Sequence, residues 1–525
     1  LTIDSLQVQT KPLINIIPEP YEVIPGEGYI DLPQNIYILV DSSFFNYVDE
    51  IEDLQLIFEK IPNIQAEILF EDHHLSRRDF KIRLIKDTLA INPEEYELDI
   101  HRRGIFIKSS SSTGIFYATQ SLKQLLLDNY YQYKTAKLPV VRIHDKPRYS
   151  FRSLMLDPAR HFLTVPELER YIDAMAMYKF NSLHLHLTDD QGWRVEIKSL
   201  PNLAKTGSVR RETNGDKTPH KGYYTQEQLK YIVKYAAERH IEIIPEIEMP
   251  GHNVATLAAF PQLSCTQRLL NVATAPGVSK EILCAGNSQV YDLIEVIIEE
   301  LAPIFPSKYF HIGGDEVPLD NWKKCPKCQR TIRNNKLKNE QELMSYFFNR
   351  VGNILKEYNK EPMFWYELDV PEYPKNSTMY AWRSGTSKEV IEKANKSGYK
   401  LICSPGEHAY FDYPQWKGDI PQTNWMPVLT LENAYEFEPA MDLPESQTDN
   451  IMGVEACLWG EYIPNIERAF YMTFPRAIAI SEVGWSRKES KDWNIFKNKL
   501  EFHLEYLMKQ GVNYRVPAEL YLNSQ

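Results

Sequence analysis

Two adjacent carboxylic acids, Asp315 and Glu316, are the residues of this chain best placed to do chemistry. They follow the largely apolar run Tyr309 to Ile312 and two glycines, so they lie where a buried strand would end and where a ligand could approach the backbone closely. Two neighbouring carboxylates resist ionising together, and an apolar wall such as Trp322 would favour keeping one of them protonated as a general acid. Taken by itself, such a pair is more often a solvated loop or a helix N-cap.

The segments around this pair alternate strand and helix from residue 151 onward, which is typical of a parallel sheet. The strand-like segments are Phe151 to Asp157, Ser182 to Thr188, Glu242 to Ile247, Tyr309 to Gly314, Pro362 to Tyr366, Thr378 to Trp382, Tyr399 to Cys403 and Met452 to Trp459. Helical patterns run over Val165 to Tyr178, Thr225 to Arg239, Ser288 to Leu301, Asn339 to Tyr358, Lys388 to Lys396 and Lys491 to Lys509. Eight strands with intervening helices predict an α/β fold, a (β/α)8 TIM barrel with insertions, rather than an open doubly wound sheet.

The first part of the chain has a different pattern, in which short β-rich runs surround one helical stretch, Ser112 to Leu127. We expect residues 1–147 to form a small α+β accessory domain and residues 148–525 to form the barrel domain. The first part contains no acid, histidine or cysteine constellation suited to catalysis, which favours a packing role.

Composition narrows the classes of function. The 525 residues are 43% hydrophobic and 25% charged, as in globular proteins of two or three domains. The net charge of −12 disfavours nucleic acid and anionic membranes as partners. No run approaches the ~20 apolar residues of a membrane span. Aromatic residues make up 12% of the chain, and their faces suit sugar rings, although a large core could absorb most of them.

The barrel prediction places function at the carboxyl ends of the strands. Polar and aromatic residues follow strand after strand there, and the candidates beside the acid pair are Arg160, Asp189, His252, Trp365, Trp382, Tyr410, Asp412, Trp459 and Glu461. Tryptophans beside carboxylates and an arginine describe a pocket for a polar ring with apolar faces, as in a pyranose. Each residue alone also has an ordinary interpretation, as a salt bridge at the rim, a solvated acid or a core aromatic.

At this point the sequence resembles a known family. The stretch His311-Ile-Gly-Gly-Asp-Glu316 is similar to the signature of glycoside hydrolase family 20, the β-N-acetylhexosaminidases. Supporting stretches are Leu183 to Arg194, Ile244 to His252, Trp382-Arg383 and Leu458 to Glu461. The similarity covers about residues 150 to 510, and residues 15 to 145 resemble the family's usual N-terminal domain. Glu248 stands where an aspartate is common, which is a conservative change.

The resemblance implies an exo-acting enzyme that removes terminal β-linked GlcNAc or GalNAc from glycans by substrate-assisted, retaining hydrolysis. Glu316 would be the general acid and base, and Asp315 would hold the acetamido N–H. Tyr410 would donate to the acetamido oxygen. The walls around the acetyl methyl group would be Trp365, Trp382 and Trp459.

The remaining site residues would bind or support the sugar. Arg160 and Glu461 would hold ring hydroxyls, and Asp189 or Asp412 could accept from others. His252 and Glu246 look like supports for the acid. The resemblance implies no cofactor and no metal, N-acetylhexosamine-terminated oligosaccharides or glycoconjugates as partners, and a location outside the cytoplasm after removal of a leader. Whether glucosaminides or galactosaminides are preferred stays open.

Two other functions compete with this interpretation. A metal-dependent barrel hydrolase would use His184, His186, His252 and Asp189, but a third ligand at compact spacing is missing. A sugar-binding protein with a degenerate site is the alternative outside the enzymes. The presence of both acids argues against it.

The six cysteines leave room for two disulfide bridges. Cys325-Pro-Lys-Cys328 has zinc-knuckle spacing but lacks a second Cys or His pair at a fitting distance, so a local disulfide or free thiols are favoured over a metal. Cys265 and Cys284 bracket an insertion after the third strand, and we expect them to pair if the protein is extracytoplasmic.

Overall fold

A computed structural model describes residues 14–70, 75–420, 423 and 425–521. The first unit is a sheet of seven strands in the order β1-β7-β5-β6-β4-β2-β3. The bounds are β1 (Glu22–Asp31), β2 (Asn35–Leu39), β3 (Gln65–Leu69), β4 (Phe80–Lys86), β5 (Tyr96–His101), β6 (Gly104–Ser109) and β7 (Lys137–Asp145). Parallel and antiparallel pairs are mixed in this sheet, as expected for a small α+β unit.

Two helices, α1 (Val48–Glu59) and α2 (Ser112–Tyr133), accompany the sheet. The side chain of Ser111 caps α2 by accepting from the amide of Gly114. The helix is longer than its pattern predicts, because its last two turns include the buried polar residues Asp128 and Asn129, which tertiary packing holds in the helix.

The second unit contains the closed barrel β14-β15-β16-β17-β18-β19-β8-β9. The bounds are β8 (Phe151–Leu156), β9 (Ser182–His186), β10 (Thr188–Asp189), β11 (Gly192–Trp193), β12 (Val209–Arg210), β13 (His220–Lys221), β14 (Glu242–Glu246), β15 (Tyr309–His311), β16 (Glu361–Trp365), β17 (Thr378–Ala381), β18 (Lys400–Cys403) and β19 (Ile451–Leu458). The pairs β10–β11 and β12–β13 are two-residue ribbons outside the barrel. The barrel closes where β19 runs parallel to β8, and the predicted TIM barrel is confirmed.

The helices of the second unit surround the barrel or lie in its loops. They are α3 (Val165–Ala176), α4 (Asn202–Gly207), α5 (Gln226–Ala237), α6 (Val254–Ala259), α7 (Ser288–Leu301), α8 (Asp320–Lys324), α9 (Pro326–Asn334), α10 (Glu340–Glu357), α11 (Ser387–Ser397), α12 (Gly406–Ala409), α13 (Leu431–Tyr435), α14 (Ile466–Thr473), α15 (Arg476–Trp485) and α16 (Trp493–Lys509). The sequence pattern missed α15 because every residue of this helix is buried, so no polar face marks its period. No helix in the described ranges is long and apolar enough to span a bilayer.

Buried polar contacts join the two units. Lys179, three residues after the end of α3, contacts the carboxylate of Asp145 at 2.7 Å and the hydroxyl of Tyr96 at 2.9 Å. The indole of Trp485 donates to the other oxygen of Asp145 at 2.8 Å. The predicted boundary between residues 147 and 148 falls in the connection that follows Asp145, and it stays a prediction.

Candidate active site

The acid pair follows β15 at the carboxyl end of the barrel, and its backbone is unusual. Gly313 and Gly314 have φ values of +68° and +89°. A side chain at Gly313 would also collide with the carboxylate of Glu248. Glu316 and His252 adopt the same left-handed region, each with φ of 48°, which is rare for residues with side chains and collects at functional sites.

A cavity of about 150 Å³ opens at this end of the barrel. Its lining consists of Arg160, Asp189, Glu248, His252, Asp315, Glu316, Trp382, Tyr410, Asp412, Trp425, Trp459 and Glu461. All of the residues predicted for the site lie on this surface except Trp365. The barrel therefore brings together strand ends that are as much as 301 positions apart in the chain, from Arg160 to Glu461. The roles of the individual residues stay predictions.

His252 connects the two acids to a third carboxylate. Its Nε2 lies 3.6 Å from Glu316 and 3.8 Å from Asp315, and its Nδ1 lies 3.2 Å from Asp189. Burial opposes the charged imidazolium, but the carboxylates, Asp189 foremost, raise the pKa of His252 well above its ordinary value. Asp189 also accepts from Nε2 of His186 at 2.9 Å, which fixes the carboxylate in place.

The pKa values of the two acids differ in the opposite sense from the expected one, in which Glu316 would be the acid that keeps its proton. Burial raises the pKa of Asp315 to about 6, whereas the neighbouring imidazolium of His252 lowers the pKa of Glu316. Trp322 does not form the predicted apolar wall, because its indole donates to the carbonyl of Leu283 and the side chain is absent from the cavity lining. These directions favour a charged imidazole on His252 beside an ionised Glu316.

Arg160 is held rigidly at the base of the cavity. Its guanidinium contacts Asp157 at 2.8 Å, Asp189 at 2.7 Å and the side-chain oxygen of Gln191 at 2.9 Å. Glu461 lies 3.8 Å away. Burial disfavours the charge, but these carboxylates raise the pKa of Arg160 well above its ordinary value, so it stays a cation.

Several buried polar atoms of the cavity have no hydrogen-bond partner within the described part of the chain. They are both carboxylate oxygens of Glu248 and Asp412, Oδ1 of Asp315, Oε2 of Glu461, the indole nitrogen of Trp382 and the hydroxyl of Tyr410. Burial, and then the nearby carboxylate of Glu461, raises the pKa of Asp412 well above its ordinary value, and burial also raises the pKa of Glu461. Buried polar groups are normally paired, so this set indicates a polar ligand.

Trp365 lies behind Trp459 rather than on the cavity surface. The two rings are 5.5 Å apart, and the indole of Trp365 donates to Glu246 at 2.7 Å. Glu246 in turn contacts His186 and lies 2.9 Å from His311. Glu246 therefore organises the barrel interior. The sequence had suggested that Glu246 supports Glu316, but the structure shows no direct contact between these two residues among those described.

Sequence reasoning missed several residues at the site. Glu248 was noted only as a departure from the family pattern, although its position after β14 could have identified it. Burial, then the charge of Asp315, raises the pKa of Glu248 well above its ordinary value, which favours its neutral form. Trp425 comes from a loop whose composition carries no signal, and its side chain is 55% exposed.

A second pair, Glu367 with Arg383, supports the acid from the side, and the sequence comparison had noted only Arg383, as part of the family resemblance. Glu367, after β16, accepts from the amide of Glu316 at 3.2 Å. Arg383, after β17, donates two hydrogen bonds to Glu367 at 2.7 and 3.0 Å, and its guanidinium lies 4.2 Å from the ring of Trp382. This pair links the position of the acid to that of an aromatic wall.

The histidines proposed for a metal centre are already engaged. His184 faces Glu455 at 2.9 Å and Glu246 at 3.1 Å, and His186 faces Glu246 and Asp189. Burial opposes protonation, but these carboxylates raise the pKa of His184 to about 9 and of His186 to about 10. Both imidazoles are thus engaged by carboxylates, and neither histidine lines the cavity that contains the acid pair.

A TIM barrel with an acidic, aromatic pocket at its carboxyl end is the arrangement of a carbohydrate-cleaving barrel hydrolase. The model of the glycosyl hydrolase family 20 catalytic domain matches residues 149–488, and the model of that family's domain 2 matches residues 13–146. The chain belongs to glycosyl hydrolase family 20, and its enzyme class is that of the β-N-acetylhexosaminidases.

Several relatives are similar along most of the chain. A β-hexosaminidase of Akkermansia muciniphila is 40% identical over 81% of this chain and 86% of its own length. One from Porphyromonas gingivalis is 37% identical over 96% of this chain, which spans only 64% of that relative. The solved Streptomyces plicatus N-acetyl-β-hexosaminidase, in complex with Thio-NAglucal, has a TM-score of 0.85 at 31% identity and covers 98% of both chains.

Proposed function

We propose that this protein removes single terminal, non-reducing β-linked N-acetylhexosamine residues from oligosaccharides or glycoconjugates, with the sugar's own acetamido group as nucleophile. The observation that carries the proposal is the set of unpartnered buried polar atoms around a small, aromatic-walled cavity beside Asp315 and Glu316. The cavity, about 150 Å³, is below the ~300–1,000 Å³ common for ligand pockets. That size suits one sugar residue, which supports exo action.

The base of the cavity suits the hydroxyls of the terminal sugar. Arg160 is a fixed cation there, and Asp412 and Glu461 offer oxygens that have no hydrogen-bond partner among the described residues. A carboxyl group with a raised pKa can accept from one hydroxyl or donate to another, according to its protonation. These residues would therefore hold the non-reducing end and leave the glycosidic bond near Glu316.

Glu316 is the acid best placed at the mouth, since its side chain is 34% exposed and that of Asp315 only 11%. A bound glycan would cover Glu316 and disfavour its carboxylate. The proton on His252 could then cross the 3.6 Å gap to Glu316 and pass to the leaving oxygen. Asp189 would hold the imidazole in position, and the Glu316 carboxylate would later take a proton from the attacking water.

Asp315 would act on the nucleophile rather than as one. Its unpartnered Oδ1 can accept from the acetamido N–H and balance the positive charge of the oxazolinium ring formed when the acetamido oxygen attacks the anomeric carbon. The free hydroxyl of Tyr410 would donate to that oxygen. Trp382 and Trp459 would enclose the acetyl methyl group, with Trp365 backing Trp459.

The test uses aryl N-acetylglucosaminides and the matching aryl glucosides, which differ at carbon 2. We expect retention of the β-anomer in the first product seen by proton NMR, strong inhibition by a thiazoline mimic of the cyclised intermediate, and almost no cleavage of the glucoside. Asp315→Asn should remove both turnover and most of the inhibition, because a neutral amide cannot balance the charge. A first product with the α-configuration, or a sugar trapped on Asp315 or Glu316, would overturn the mechanism.

Two finer points remain proposals. We propose that the protein works outside the cytoplasm, on the basis of the family resemblance, and fractionation of the source cells would test this. The matched pair of aryl glucosaminide and galactosaminide would establish whether the fourth hydroxyl is read.

A further inference from the structure

Four cysteines that are far apart in the sequence converge in the structure. Sγ of Cys284 lies 3.6 Å from both Cys325 and Cys328, and Cys265 lies 3.7 Å from Cys328. All four sulfur atoms lie within 4.8 Å of one another. Cys284, Cys325 and Cys328 are buried, and Cys265 is half-buried.

These separations fit a metal ion better than disulfide bonds. Four sulfurs about 2.3 Å from a tetrahedral zinc ion lie about 3.8 Å from one another. A disulfide requires about 2.05 Å between its sulfurs, and all four thiols are free. The contacts allow one complete pairing, Cys265 with Cys328 and Cys284 with Cys325, but neither of these bonds is formed. The expected Cys265–Cys284 bond is not formed either.

The local structure is built for thiolate ligands. Cys325 occupies the N-cap position of α9, Pro326 is the first helical residue, and Cys328 lies in the first turn. The amide groups of such a turn favour negative charge. The second pair, Cys265 and Cys284, is held by backbone contacts. Ser264 and Leu283 form an antiparallel β-bridge, and the amide of Cys284 donates to the carbonyl of Leu263 at 2.9 Å.

We propose that Cys265, Cys284, Cys325 and Cys328 bind one structural zinc ion. The premise that Cys325 and Cys328 lack a second pair was wrong, because Cys265 and Cys284 supply it once the chain has folded. Four sulfur ligands leave no open coordination position, and none of the four residues lines the cavity, so the ion would have no part in hydrolysis.

The position of the cluster indicates what the ion would do. Cys265 and Cys284 belong to the loop after β14, which carries Glu248 and His252, whereas Cys325 and Cys328 follow β15 and the acid pair. Leu283, next to Cys284, donates to the carbonyl of Pro250 at 3.0 Å and accepts from the indole of Trp322 at 2.9 Å. The zinc ion would therefore cross-link the loops that hold His252 and Glu316 in register.

The test starts with the unmodified protein. We expect metal analysis to find about one zinc ion per chain, released by an organomercurial that modifies thiols. Under denaturing conditions with a chelator and no reductant, all six cysteines should react with a thiol reagent. Cobalt exchanged into the protein should show the spectrum of a tetrahedral tetrathiolate complex.

Variants give the second part of the test. Cys284→Ser and Cys328→Ser should lose the zinc and unfold at a lower temperature, since metal binding is coupled to folding. Cys403→Ser is the matched control, because Cys403 is a buried cysteine outside the cluster whose thiol faces the carbonyl of Pro439, which a hydroxyl can also reach. This control should keep the zinc. Three results with the unmodified protein would overturn the proposal, even if a variant failed to fold. They are the finding of only two reactive thiols, iron in place of zinc, or six free thiols without stoichiometric metal.

Discussion

At the scale of single residues, the site depends on how three neighbouring groups share protons. Asp315 is the more buried acid, and its pKa is raised to about 6, mainly by burial. Glu316 faces the imidazolium of His252, which lowers the pKa of this acid. In the proposed mechanism Glu316 would therefore receive its proton from His252, and Asp315, whose carboxylate would balance the positive charge, would ionise near pH 6.

This arrangement predicts a bell-shaped dependence of kcat/KM on pH. Activity should fall as the pH drops below about 6, because Asp315 becomes protonated and cannot balance the developing positive charge. It should also fall at a pH well above 6.5, where His252 loses the shared proton. Initial rates with an activated aryl glycoside across the pH range would measure both limbs.

A variant identifies the group behind the acidic limb. Glu316→Gln removes a negative charge that raises the pKa of Asp315. The acidic limb of the pH profile, measured on the residual activity with an activated substrate, should therefore lie at a lower pH than in the parent enzyme. An unchanged limb would show that another group controls it.

At the scale of elements, the carboxyl ends of successive strands support one another. Glu367 follows β16 and Arg383 follows β17, and their paired hydrogen bonds connect the backbone of Glu316 to the ring of Trp382. The predicted strand ends lie close to the observed ones. The barrel topology alone therefore places Glu367 and Arg383 at the same end of the barrel as Glu316. The pairing itself does not, since it depends on side-chain direction.

Replacing Glu367 should therefore affect the acid more than substrate binding. We expect Glu367→Gln to lower kcat about 10-fold with a smaller change in KM, because misplacing Glu316 matters most in the transition state. Arg383→Lys keeps the charge but loses the two-pronged contact and should have the same signature. Glu97→Gln, in an exposed ion pair of the first unit, is the control and should leave both constants unchanged. An increase in KM alone would mean that Glu367 acts on the Trp382 wall instead.

At the scale of the whole molecule, the two units are joined by a buried charge. Lys179 of the barrel unit is fully buried against Asp145 of the first sheet, and burial lowers the pKa of Lys179 even though Asp145 opposes this effect. The indole of Trp485, the hydroxyl of Tyr96 and the amides of Tyr21 and Lys146 also donate to this carboxylate. The first unit is thus fixed to the barrel by a contact that does not tolerate the loss of one partner.

The corresponding prediction concerns stability. Asp145→Asn should lower the free energy of unfolding by about 3–5 kcal/mol, because it leaves the Lys179 ammonium buried without a counter-charge. The double variant with Lys179→Met should recover part of the loss. Arg142→Met breaks an exposed ion pair with Glu97 in the same sheet, and it should lower the free energy of unfolding by at most about 1 kcal/mol. Urea unfolding followed by tryptophan fluorescence would measure all three, and equal effects of Asp145→Asn and Arg142→Met would contradict the account.

The sequence by itself determined the barrel and the place of its active end. Apolar runs such as Tyr309 to Ile312, followed by helical patterns, are local signals, and the carboxyl ends of barrel strands must meet whatever the loops do. That is why Arg160, Tyr410 and Glu461 could be assigned to one site before any distance was known. The signature around Asp315 and Glu316 added the enzyme class.

Only the tertiary structure decided which groups face the cavity and which carry the protons. Trp365 and Trp322 are large aromatic residues of the kind that lines sugar pockets, but neither lines the cavity. Trp425 does line it, although it comes from a loop without a sequence signal. The proton order of Asp315 and Glu316 is set by burial and by His252, and neither can be read from neighbours in the chain. The four cysteines make the same point, because two pairs that are separated by 40 residues become one cluster only when the loops after β14 and β15 pack together. Burial, side-chain direction and charge pairing are relations between distant residues, so they exist only in the folded molecule.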